Sequence, residues 1–452
     1  MLPPGFAPFI DRAPFCVMTR GVIEFLFKPE RLDALFRDVA QRQYERELLF
    51  SELVELMLAV IFRVEPSVHA AYKAREETLS VSDQAIYDKL RNLDLTVSAA
   101  LVADSAVQVE PVLTQLGGRQ EPWLPGYRTR LVDGTHLATT EGRIKELRQT
   151  WAAALPGKLL VVLDQETQLV DQVFLTPDGH AQERSLLPAW LATVREHDLV
   201  IADRNFCTFE TMSGLDQVGA GFIIRQHGTV KGTLVAERRE VGRGSTGMVD
   251  EGAMEFTHRG RTTRLRRVTV MLDKPTTDGD LEIHILTNLP ESAADAIQVA
   301  ELYRRRWTIE GRFYEVTQTM NCEPQTLAYP PAALFAFCLA LFASNAVALI
   351  KASVRAEHGD EVLETLSNYY VSEEVRKVYL GMMIALPAES WACFSAMEAS
   401  EFASVMRSII KGLKIRRYQK AKRGPKKKPP PKTPYENGTH LSTYHLLKGR
   451  TR

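Results

Sequence analysis

The sequence predicts an α/β protein: a mixed sheet with flanking helices, interrupted by a β-rich insertion and preceded by an N-terminal helical region. Three observations carry this. Residues 1–120 lack period-two alternation and show long apolar periodicity of the helical kind. Between Tyr127 and Gln226 short apolar runs separated by turn residues follow the order strand, strand, strand, helix, strand, helix, strand, which builds a mixed sheet with helices packed on it. From about Gly228 to Leu289 the texture is β again, but polar and arginine-rich.

The elements follow in order. Arg31 to Ile61 and Leu79 to Leu116 read as helices, and Ser80 to Leu90 offers an N-cap before a short amphipathic helix. That stretch resembles the recognition half of a helix-turn-helix, or an ordinary helix of an all-helical bundle. The strands are 130–134, 158–163, 168–174, 198–203 and 221–225, with Ala181 to Arg195 as an intervening helix. In the insertion, residues 228–289, alternation puts Arg264 and Arg266 on one face of a strand. A long helix then begins near Ser292 and carries Tyr303, Arg306 and Glu310. Ala332 to Ile350 is long enough to cross a bilayer, but its alanines, Ser344 and Asn345 favour a buried core helix. The expected divisions are therefore 1–120, 121–227, 228–289, 290–410 and a tail, 411–452.

Charge is distributed unevenly. The 452 residues hold 56 basic and 56 acidic side chains, yet from Lys411 onward there are fourteen Lys/Arg and one acid, Glu436, which leaves 42 basic and 55 acidic before it. The tail, with Lys414, Arg416 and Arg417 at its start and Pro429 to Pro431 within it, is a polycation that cannot build a core. Such an arm meets phosphate backbones, or is simply solvated. Five cysteines without a C-x-x-C pair speak against a zinc ribbon or a disulfide framework and fit a reducing cytosol; no signal peptide is expected.

Three carboxylates stand out. Asp133 and Asp203 each follow an apolar run where a strand meets its loop, the place where ligands gather on a mixed sheet. One such Asp is usually a turn residue or cap. Two on neighbouring strands suit a hard cation such as Mg²⁺. On a continuous helix Tyr303, Arg306, Glu310 and Thr317 fall within a 60° arc bordered by Trp307. The bland reading of Arg306 and Glu310 is a surface pair worth about 0.3 kcal/mol. A carboxylate in an aromatic stripe beside Arg instead asks for a metal or a phosphate.

Asp133-Gly-Thr135, Asp203-Arg-Asn-Phe206 and Tyr303-Arg-Arg-Arg306-Trp-Thr-Ile-Glu310 resemble the three acidic motifs of DDE transposases of the insertion-sequence-four type. The last motif of that family reads Tyr, two residues, Arg, three residues, Glu, six residues, Lys. The resemblance covers roughly residues 120–350, and the tail from Arg423 to Lys432 looks like the end of many such proteins. It implies an RNase H-like fold with a β-rich insertion between the second Asp and the Glu, and a DNA transposase that cuts the ends of an insertion sequence and joins them to target DNA.

By the same resemblance Asp133, Asp203 and Glu310 hold two Mg²⁺ ions, for which Mn²⁺ can substitute, in phosphodiester hydrolysis and transesterification. Tyr303 and Arg306 contact the phosphate beside the cut. Trp307 stacks a displaced base or is a core residue. The implied partners are double-stranded transposon ends and target DNA, and a second copy of the chain in the paired-end complex; the implied location is the bacterial cytoplasm, at the nucleoid. One position departs, because the family's Lys is Thr317 here. Arg264 or Arg266 would supply the missing charge, with Lys414, Arg416 and Arg417 adding phosphate contacts. The alternatives are a Mg²⁺-dependent nuclease without strand transfer and a domesticated DNA-binding protein without activity.

Overall fold

The computed structural model describes all residues except 1, 42–46, 138–153, 236–237, 259, 277–278, 325–326, 421–440 and 449–452. Seven helices precede the sheet: α1 Ala7–Arg12, α2 Pro14–Leu26, α3 Pro29–Val39, α4 Phe50–Ile61, α5 Val68–Lys73, α6 Asp83–Arg91 and α7 Leu95–Leu116. β1 Arg128–His136, β2 Ala154–Leu155, β3 Lys158–Asp164, β4 Val170–Thr176, α8 Leu187–Leu191, β5 Asp198–Ala202, α9 Phe209–Gln217 and β6 Gly221–Arg225 follow. Then come β7 Thr233–Leu234, β8 Arg239–Arg243, β9 Gly247–His258, β10 Arg261–Leu272 and β11 Glu282–Thr287. The chain finishes with α10 Ala296–Arg304, α11 Trp307–Thr319, α12 Pro330–His358, α13 Asp360–Thr365, α14 Asn368–Ala385, α15 Ala388–Ser395, α16 Ala399–Lys411, β12 Leu441–Ser442 and α17 Thr443–Leu447.

β4, β3 and β1 are antiparallel neighbours, and β5 and β6 run parallel to β1, which makes the RNase H-like mixed sheet. Its strands β3, β5 and β6 are apolar on both faces because both faces are covered. Leu159, Val161, Leu163, Leu199 and Ile201 point into a core shared with α7 and α12, whereas Leu160, Val162, Val200 and Ala202 pack with Trp190, Phe206, Met212 and Leu215 on the other side. The expected helix from 181 to 195 is shorter, a 3₁₀ turn at Glu183–Leu186 leading into α8.

The insertion is β-structured, yet it forms no separate layer. β11 pairs antiparallel with β6, and β10, β9 and β7 continue outward, so the whole is one ten-stranded sheet with β8 paired to β9. Val268, Val270 and Ile285 join the first core and Leu265 and Leu286 the second, which is why the strands extend the sheet rather than leave it.

α12 is long and apolar enough to cross a membrane, but 94% of its most apolar window is buried inside the protein. It is clad by α2, α4, α6, α7, α13 and α16 and touches β4. Asn345, at its middle, accepts the Val170 N–H at 2.9 Å and donates to the Val170 carbonyl and to Ser105 Oγ, each at 2.8 Å. One side chain thus ties α12, α7 and the outer strand of the sheet together. The boundary expected at residue 120 is consequently not one between cores, since buried residues of α2, α4 and α7 share one cluster with those of α12, α14 and α16. α6 is capped by Ser82, whose Oγ accepts the Ala85 N–H, and it buries Ile86 and Leu90; nine residues separate it from α5, longer than the three or four of a helix-turn-helix.

The tail begins later than its charge pattern suggests. Tyr418 is buried with its ring edge-on to Phe15 at 4.7 Å and its hydroxyl on Glu374, and the backbone of 418–420 bonds to Thr365 and Ser367. Beyond 421–440, which lie outside the described residues, β12 pairs with β2 and His445 Nε2 sits 3.1 Å from Asp178.

Asn345→Ala leaves the Val170 N–H and carbonyl buried without their partner. We expect a loss of about 2 to 4 kcal/mol in urea unfolding monitored by circular dichroism, on the usual cost of stranded buried polar groups; a loss under about 0.5 kcal/mol would show that the tie carries no weight.

Candidate active site

The aspartates are set by strand register. β1 and β5 are paired in parallel as far as Val132 and Ala202, so Asp133 and Asp203 occupy the next position on two adjacent strands. Asp133 does not end its strand, as its sequence context suggests: β1 continues to His136 on its pairing with β3, while β5 stops and Asp203 caps a 3₁₀ turn, accepting the Asn205 N–H at 2.8 Å. The Asp133 carboxylate accepts the Gly134 N–H at 2.9 Å.

The long helix expected from Ser292 is two helices, broken at Arg305 and Arg306. Across the break Arg306 N–H bonds to Tyr303 O, Thr308 N–H to Arg305 O and Ile309 N–H to Arg306 O, a tightened turn whose residues keep helical dihedrals. There the buried Arg306 guanidinium reaches Asp133 Oδ2 at 3.4 Å and Glu310 Oε1 at 2.6 Å. Its Nε is buried without a hydrogen-bond partner. Its carbon centre lies 6.0 Å from the Tyr303 ring and 5.7 Å from that of Trp307. The break also puts Glu310 in the first turn of α11, where the helix dipole favours a negative charge. Tyr303 is buried, and burial pushes its hydroxyl up.

Burial pushes the Asp133 carboxyl up to about 7, and the neighbouring Asp203 and Glu310 charges push the same way against the pull of Arg306. A carboxylate held so high marks a site short of positive charge. Among the described residues no three His, Cys, Asp or Glu side chains converge on one ion position, because Arg306 stands between Asp133 and Glu310. The donor set nonetheless fits a hard divalent cation: Asp133 feels the charges of both Asp203 and Glu310, and a single guanidinium is shared by Asp133 and Glu310.

The other sequence-selected residues separate. Trp307 is 61% exposed on the outer side of the Arg306 guanidinium, not a core residue. Thr317 is half-buried on α11. Arg264 is exposed opposite Glu255. Arg266 shares its face but is turned inward, bonding Glu251 at 2.5 Å and the carbonyls of Leu289 and Ala294 at 2.9 and 2.8 Å, so its charge is spent fastening β10 to the segment before α10. Lys414 pairs with Asp11 at 2.7 Å, Arg417 donates to the Arg12 carbonyl at 3.0 Å, and Arg416 is exposed. Those three line the helical body beside α1, not the carboxylates.

Sequence reasoning passed over Glu183. Its carboxylate packs against the Cα of Gly134, where a Cβ would come within 2.5 Å of Glu183 Cδ, and the Asn205 side chain lies near enough to hold its pKa down. Burial raises its pKa, and Asp203 adds to the rise.

A pH dependence follows from Asp133. The unfolded carboxyl titrates near 3.8 and the folded one near 7, so between those values the folded state keeps a proton that the unfolded state has lost, and stability falls as pH rises. In EDTA the melting temperature of wild type should drop relative to Asp133→Asn between pH 5 and 8, and added Mn²⁺ at pH 8 should restore it. A difference between the two proteins that is flat in pH would refute the assignment.

No curated protein matches the chain. Residues 124–346, however, match the family model described as the transposase DDE domain, a span that runs from just before β1 into α12 and takes in all three acidic motifs. The α/β core of this protein, with Asp133 on β1, Asp203 directly after β5 and Glu310 on α11, is therefore similar to a transposase DDE domain.

Proposed function

We propose that this transposase cuts the ends of an insertion sequence and joins them to target DNA, by hydrolysis and then transesterification at Asp133, Asp203 and Glu310. The observation that carries the reading is the in-register pair Asp133 and Asp203, linked to Glu310 through the buried Arg306. Two Mg²⁺ ions held by the three carboxylates would supply Lewis acidity for in-line attack on a phosphodiester and for departure of the 3′ oxygen, with Mn²⁺ as a substitute.

The chain's own groups do the rest. Arg306 offers its guanidinium fork to the phosphate beside the cut, and Tyr303 orients that fork through its hydroxyl. Exposed Trp307 offers a ring face to a base displaced from the stack. No covalent protein intermediate is required, which is consistent with cysteines whose thiols burial pushes up, Cys16 and Cys322 to about 12. Because two ends must be cut and paired, the working form is a homodimer on DNA, acting at the nucleoid of a bacterial cytoplasm.

Asp133→Asn, Asp203→Asn and Glu310→Gln should each abolish Mg²⁺-dependent nicking of end-containing DNA while leaving DNA binding within about threefold, since amides keep shape and lose the charge that holds a cation. Normal nicking by any one of them would sink the triad. Joined strands in the wild-type reaction distinguish transfer from cutting alone.

With Arg266 turned inward, Arg264 is left to compensate for Thr317. Arg264→Ala should weaken end binding by about 1.5 kcal/mol or more, the scale of one charge-assisted contact. Arg266→Ala should instead lower the melting temperature, and Thr317→Lys should tighten end binding in a filter or gel-shift titration. Three silent variants would remove this face from the DNA track.

A further inference from the structure

The ladder between β1 and β5 ends at Val132 and Ala202, one residue short of the two aspartates. At the position that matters, therefore, no backbone pairing between the two strands fixes how far Asp133 stands from Asp203. The structure closes this gap from the opposite face of the sheet. Alternation sends Asp133 toward the face that carries Leu131, and the hydrogen of Gly134 toward the face of Val132 and Leu186.

There the 3₁₀ turn Glu183–Leu186, packed between β3 and the Arg204–Phe206 turn, presents Glu183. Its carboxylate lies against the Gly134 backbone, one residue after Asp133, and the Asn205 side chain, two residues after Asp203, lies beside it where the two 3₁₀ turns meet. Lys158 Nζ, donating to the Ala181 carbonyl at 2.8 Å, holds the segment that delivers it.

Gly134 gives an independent sign. It lies in regular register opposite Leu160 and has no positive φ, so its backbone does not require glycine. A glycine inside a strand weakens it and marks a close approach. What approaches is Glu183, whose Cδ, Oε1 and Cγ would all come within 2.8 Å of a Cβ at that position.

We propose that Glu183 is a positioning residue of the transposase site: a clamp that bridges Gly134 and Asn205 behind the sheet and thereby sets the spacing of Asp133 and Asp203 for a divalent cation. The inference rests on the cation-binding reading above. Glu183 itself touches neither the cation nor DNA; it acts through the two segments it joins, as outer-shell partners of a metal site do.

The test is Mn²⁺ uptake by the full-length protein without DNA, followed by electron paramagnetic resonance, together with nicking kinetics and melting temperature. Glu183→Ala should weaken Mn²⁺ binding by about tenfold or more, the usual cost of losing such a partner, and lower kcat while the KM for DNA stays within about twofold. Glu183→Gln keeps an acceptor for Asn205 and the same length, and should recover most of both. Gly134→Ala evicts the carboxylate and should reproduce Glu183→Ala, and the double variant should be no worse than either single one. Wild-type Mn²⁺ affinity and kcat in Glu183→Ala, or a Glu183→Gln as defective as Glu183→Ala, overturns the clamp alone. Wild-type protein that shows no Mn²⁺ uptake sensitive to Asp203→Asn overturns the cation reading, and the clamp with it.

Discussion

A helix that is apolar on every side has to be covered on every side, and α12 sets that demand for the whole chain. Its 29 residues draw α2, α4, α6, α7 and α16 around it and leave one stretch for the sheet. The helices on either side of the sheet in sequence are therefore one body in space. Asn345 fixes how that body sits on β4, because an amide buried among alanines and phenylalanines has no neutral position: it satisfies its bonds or costs several. α11 comes between the sheet and α12, with Arg312 donating to the Gln168 carbonyl and reaching Ser344, so the placing of Glu310 descends from the same docking.

The site reads as an electrostatic imbalance. Asp133 and Glu310 share a single guanidinium, Asp203 adds its charge to that of Asp133, and no other strong cation is bonded to the three motif carboxylates among the described residues. Arg306 is held among them by charge and by the faces of Tyr303 and Trp307.

What the sequence made legible follows from the range over which each signal acts. The strands β1, β3, β4, β5 and β6 could be read because doubly covered strands must be apolar runs, and α12 because a membrane-like segment with Asn345 in it implies an interior. The contact of Arg306 with Asp133 could not be read, because helical periodicity is local and the two residues are 173 positions apart. Arg264 and Arg266 looked equivalent from alternation; only the carbonyls of Leu289 and Ala294 distinguish them. Glu183 was invisible for the same reason, its role being defined by a glycine and an asparagine on other segments. For Trp307 the sequence leaves base stacking and a core role both open, and its exposure beside the buried Arg306 excludes the core role. The fastening of Tyr418 was masked by the surrounding lysines and arginines.

The shared core around α12 also bears on how the chain comes off the ribosome. Phe15 is closed by Tyr418, the Cys16 N–H is accepted by Glu374, and Phe6 packs on Trp391, so α2 and the turn before it complete their burial only against the last helices. During synthesis part of the apolar face of α2 stays without cover until α14 and α15 have emerged. Contacts of such sequence separation form slowly and leave sticky surface open meanwhile. A copy shortened to before α14 would therefore present the uncovered part of α2 to every chaperone and protease in reach.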